Sequence, residues 1–159
     1  MGVCKAVLDG KFNDVDAMFQ YFRNTPANEE LKAHFAKYMT MIVYGAFESG
    51  VKDAFYVHID RIIQNKSTAD YLKSTIKKSY RNIDYNQLLY LIGMFDDCAN
   101  AIKTRYDNTE TTASFNSIVA NRQSITHGGQ CTITFSEIEE YYTKSKPLLL
   151  DLANTLDSR

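Results

Sequence analysis

From Asn28 to about Asn65 the chain runs without a proline, and its apolar residues recur at intervals of three and four. Leu31, Phe35, Tyr38, Ile42, Val43, Ala46, Val51, Phe55, Ile59 and Ile62 carry that rhythm. A period near 3.6 belongs to a helix, not a strand. So long an apolar helix must be surrounded by others, and its glycines, Gly45 and Gly50, mark places where it should bend or divide.

The rest of the chain repeats the pattern in shorter pieces. Residues 1–11 read as a lead-in, with Asn13 or Asp14 capping a first helix through Val15, Met18, Phe19 and Phe22, ended by Thr25-Pro26. Glu29 and Glu30 suit the positive end of the long helix. Ser67 can cap a third helix and Asp84 introduces a fourth, the latter with a core of Leu88, Leu89, Leu91, Ile92 and Phe95. The section 99–110 reads as helix and loop, and Thr109 to Thr112 can cap the helix that follows. Gly128-Gly129 should stop that helix, and 131–135 form an extended connector. Ser136 with Glu139 has the spacing of a capping box for a last helix to Leu156, which Pro147 should kink or divide. No sustained strand is visible. The expectation is one all-α domain over 1–159, an up-and-down bundle of five to seven helices.

One residue offends the pattern. On the helix before Gly128, Phe115, Ile118, Val119 and Ile125 form an apolar stripe, and Arg122 falls near its centre, where Leu would be expected. A buried guanidinium needs a carboxylate, a second subunit or an anionic ligand. Glu48, inside the long apolar helix, is the obvious carboxylate, and on that reading Arg122 is only a paired core arginine. His127 taken alone could be only a helix-end imidazolium beside the last carbonyls. Together they suit another role. Attack of a 2′-hydroxyl on its neighbouring phosphate needs a group that exchanges a proton near neutral pH and a fixed cation for the developing charge; His and Arg supply both without a metal.

Other features narrow the field. A net charge of −1 argues against a surface coated for nucleic acid, though not against a local basic patch. Lys73, Lys77, Lys78 and Arg81 would share one face of the third helix and are the candidate backbone contacts for RNA, a solvated face being the plainer reading. The three cysteines, Cys4, Cys98 and Cys131, lack ligand or disulfide-framework spacing, which fits reduced thiols in the cytoplasm. Asp96-Asp97 with Asp107 have no spacing that demands a metal, so none is expected, and no cofactor either. His34 and His58 read as structural or surface residues, and most of the eleven tyrosines as packing. No apolar run is long enough for a membrane span.

The string Arg122-Gln-Ser-Ile-Thr-His127, late in a helical chain and followed by Gly, resembles the R-X4-6-H signature of the HEPN superfamily. YGAFESGVKDAF, which carries Glu48, looks like that family's first core helix. The similarity covers about residues 30 to 157 and is strongest to the branch called RiboL-PSP. The resemblance implies a homodimer that joins two motifs across its interface and acts as a metal-independent endoribonuclease. Arg122 would bind the scissile phosphate, His127 would handle the proton, and Glu48 would orient Arg122. Gln123 stands where the family often has Asn, Asp or His. Gly129 stands where some members carry a Tyr that a partner nucleotidyltransferase modifies, so no such control is expected here. The resulting expectation is a cytoplasmic endoribonuclease that leaves a 2′,3′-cyclic phosphate, serving as a toxin or antiphage effector with an antitoxin or regulatory protein as partner. Its rival is a non-catalytic HEPN-like module that binds a nucleotide or a protein.

Overall fold

The computed structural model describes residues 2–95 and 99–158. Among them are seven helices and no strand: α1 (Val3–Asn24), α2 (Glu29–Ile62), α3 (Lys66–Ser79), α4 (Tyr85–Gly93), α5 (Ala99–Tyr106), α6 (Glu110–Thr126) and α7 (Phe135–Asp157). Asp96, Asp97 and Cys98 lie outside the described residues. None of the described helices is long and apolar enough to cross a membrane.

The long helix expected from the spacing is α2, and it is the axis of the bundle, packed on α1, α3, α6 and α7. Its buried positions (Ala36, Met39, Val43, Phe47, Val51, Ala54, Ile59) advance by threes, fours and fives, and Thr40, Tyr44, Phe55 and His58 widen the stripe. Asn28 caps it, its side-chain oxygen accepting from the Leu31 N–H at 2.9 Å. Neither Gly45 nor Gly50 divides it. Gly50 instead admits α1: a β-carbon there would lie 2.6 Å from a Leu8 methyl. At the centre Phe12, Phe47, Phe115 and Tyr142 meet edge-on or stacked, and the Tyr142 hydroxyl donates to the Phe12 carbonyl at 3.0 Å. His58 is buried, its Nδ1 3.0 Å from the Leu156 carbonyl oxygen, whereas His34 is exposed.

Four boundaries differ from the sequence expectation, each for a local reason. The lead-in is helical: α1 begins at Val3 because the Asp157 carboxylate, from the far end of the chain, accepts from the backbone N–H of Cys4 at 2.9 Å and of Lys5 at 3.0 Å. Asn65 rather than Ser67 caps α3, accepting from the Thr68 N–H at 3.0 Å. The capping box of α7 is Thr134 with Glu137, two residues before the expected pair. Pro147 does not divide α7. The proline lies on the exposed side, and the burial of Leu148, Leu149, Leu152 and Leu156 holds the helix together around the missing N–H.

Candidate active site

The core releases α6 before the helix ends. Phe115, Ile118 and Val119 are buried, but Ile125 is only half-buried, so the apolar stripe fades over the last two turns. Arg122 sits at that margin, half-buried, not at the stripe's centre. Its guanidinium carbon lies 5.0 Å from the centroid of the Tyr44 ring, within cation–π reach, and Nη1 donates to the side-chain oxygen of Asn82. The Nε atom is buried without a hydrogen-bond partner among the described residues.

Asn82 lies in the turn between α3 and α4 with φ of 60°, a left-handed conformation that Asn tolerates better than other side-chain-bearing residues. The turn therefore aims an amide at Arg122. Tyr44 is buried beneath the guanidinium, and its hydroxyl finds no well-aligned partner. Burial pushes the phenol pKa well up, the nearby Glu48 carboxylate adds to the rise, and the Arg122 charge opposes it.

Glu48 does not ion-pair with Arg122. It pairs with Lys52, one turn along α2, and both side chains are largely shielded from solvent. The expected carboxylate for the core arginine is thus committed elsewhere, while Arg122 is held by an aromatic face and an amide oxygen, both neutral. Among the described residues no carboxylate lies within ion-pair distance of it.

A cleft of about 560 Å³ opens over this arrangement. Arg122, Glu48 and Lys52 line it together with Lys77, Lys78, Arg81 and Asn82. Lys73 is not part of it, because its ammonium is bound to Asp60. Gln123 and His127 do not line it either; both are exposed. Five residues of helix turn His127 about 140° around the axis from Arg122. The end of α6 itself is well defined: the Gly129 N–H reaches back to the Ser124 carbonyl at 2.8 Å around Gly128, whose φ is 72°, the arrangement of a Schellman stop. His127 is fixed at that stop, its own N–H bonded to the Gln123 carbonyl at 3.0 Å.

One chain therefore gathers Arg122, Glu48, Lys77, Lys78 and Arg81, and leaves Lys73, Gln123 and His127 outside. Tyr44, Lys52 and Asn82 escaped the sequence reading. The first two had a visible signal, since Tyr44, Glu48 and Lys52 follow one another at four-residue intervals on one helix. The sequence profile of the RiboL-PSP-HEPN family matches residues 10–158. No curated protein and no solved structure matches the chain.

Proposed function

The chain belongs to the RiboL-PSP-HEPN family, and on that premise we propose that it is a metal-independent endoribonuclease working as a homodimer. The family points to RNA-related, nuclease-like function; the finer assignment is carried by Arg122, a half-buried guanidinium whose protein partners are neutral and whose charge awaits an anion. A scissile phosphate supplies that anion. As the 2′-oxygen attacks phosphorus, two negative charges gather on the non-bridging oxygens, and a guanidinium already fixed by Asn82 and Tyr44 stabilises them without reorganising. The bond from O2′ to phosphorus forms and the bond to O5′ breaks, leaving a 2′,3′-cyclic phosphate. His127 exchanges the proton, taking it from the 2′-hydroxyl or returning one to the leaving 5′-oxygen.

His127 is turned away from the cleft that Arg122 lines, so this reading requires a second copy to bring the two motifs around one phosphate. Glu48, bound to Lys52, acts on Arg122 only at a distance, across the cleft lining that they share. A role as toxin or antiphage effector, restrained by a partner protein, would follow from unregulated cutting in a cell. The same separation of His127 from the cleft favours a second reading, a non-catalytic module that binds a nucleotide or protein.

The test is incubation of end-labelled single-stranded RNA with purified protein in EDTA, beside Arg122→Ala and His127→Ala. Cutting that resists the chelator, leaves cyclic phosphate ends and falls at least a hundredfold in each variant is expected. Cutting that survives both substitutions, or stops with EDTA, overturns the mechanism. Tight nucleotide binding with no turnover of any RNA would favour the second reading.

A further inference from the structure

The whole chain carries a net charge of −1, yet the cleft beside Arg122 is lined by five cations, Lys52, Lys77, Lys78, Arg81 and Arg122, against a single carboxylate, Glu48. Glu48 is already matched by Lys52. Lys77, Lys78 and Arg81 have no ion pair among the described residues; Lys37, Lys66 and Lys103 are unpaired too, but none of those lines the cleft. One or two cations in the last turn of α3 suit the helix dipole, and Lys77 and Lys78 occupy that turn. The dipole does not account for Arg81 beyond the helix end, nor for the convergence of all three on the cleft that holds Arg122.

We propose that Lys77, Lys78 and Arg81 form a backbone grip in each protomer, holding phosphates of a single RNA strand next to the one at Arg122. The inference rests on the nuclease reading for the identity of the strand, and goes beyond it in assigning the subsite and its mode of recognition. Among the described residues no aromatic side chain lines the cleft. With lysine ammonium groups as most of its contacts, the grip reads charge and spacing, not sequence. Lys77 and Arg81, four residues apart across the helix end, offer two points of attachment, which favours a run of phosphates over a single one.

The test uses His127→Ala as the binding host, since it keeps the cleft intact and should not consume the probe. Anisotropy of fluorescein-labelled oligouridine, oligoadenosine and oligocytidine 12-mers is followed as salt is raised. In the host, log affinity falls linearly with log salt; adding Lys77→Ala and Lys78→Ala makes that slope shallower by about 0.7 for each phosphate no longer held, equally for the three sequences. Lys73→Ala, outside the cleft, leaves the slope as it was. An unchanged slope in the double variant, or an effect confined to one base, overturns the grip. Cutting is assayed separately with His127 restored. A shallower slope with no cutting of any RNA retains the grip and sinks the nuclease reading; cutting with an unchanged slope does the reverse.

Discussion

Arg122 and Asn82, forty residues apart in the chain, meet through a hydrogen bond from the guanidinium Nη1 to the amide oxygen of a residue in the left-handed backbone region. The pairing fixes the arginine without neutralising it. Asn82→Asp keeps the shape and the backbone preference but adds a carboxylate, so RNA cutting or phosphate affinity should fall about tenfold to a hundredfold, the size of one charge-assisted hydrogen bond, while folding is unharmed or strengthened. Asn82→Gly relieves the backbone and removes only the bond, with a smaller loss of function. Melting curves beside cleavage rates separate the two; equal activity in Asn82→Asp and the parent would refute the argument.

Asp157 closes the chain on itself. Burial alone would raise its pKa, but the N–H groups of Lys5 and Cys4, the Cys4 thiol and the Arg61 charge outweigh it and hold the carboxyl below its ordinary value. A depressed folded-state pKa means stability that is complete above the unfolded value, about 3.9, and is lost as the pH falls through the folded one. Asp157→Ala should cost about 1–2 kcal/mol at pH 7, the worth of a helix cap. Urea titrations of parent and variant should begin to converge as the pH falls below about 4 and meet below the folded-state pKa; a gap that persists in stronger acid would show that the carboxylate is not the cause.

Gly128 ends α6 with φ of 72°, and a β-carbon there would meet nothing within 4 Å. Gly128→Ala therefore costs only backbone strain, about 1–2 kcal/mol. Because His127 rides on this stop, cutting should fall by more than the lost stability explains, and Gly128→Asn should restore much of it. Guanidinium melts paired with cleavage assays measure both quantities.

Pro147 interrupts the hydrogen-bond ladder of α7 from an exposed position. Pro147→Ala restores one N–H at the expense of a more flexible unfolded chain, for a net gain of about 1–2 kcal/mol. A higher melting temperature with unchanged RNA cutting is expected. A lower one would mean that the ring's own packing is worth more than the bond it removes.

How much of this was legible in the sequence depended on whether a feature was local. The rhythm of α2, its start near Asn28, the start of α4 at Asp84 and the stop at Gly128-Gly129 are encoded within a few residues, and the residue pattern alone reveals them. The start of α1 depends on Asp157, more than 150 residues away, and nothing near Val3 announces it. Thr134 to Glu137 and Ser136 to Glu139 both have the capping-box spacing, and only packing chooses the first. At the candidate site, Arg122 stood out because a charge interrupted an apolar stripe. Its partners did not, since two carboxylate–cation pairings were open to Glu48 and its own helix offered Lys52 at the nearer spacing. Asn82 was invisible because the turn that aims it is defined by a backbone angle rather than by a residue pattern.

The cleft has a consequence at long range. A molecule of nearly zero net charge that collects so many cations on one side must carry the opposite excess over the rest of its surface. Cations gathered around a concave site draw a polyanion toward it from beyond contact range, an advantage that fades once dissolved salt shortens the reach of the field to about 10 Å.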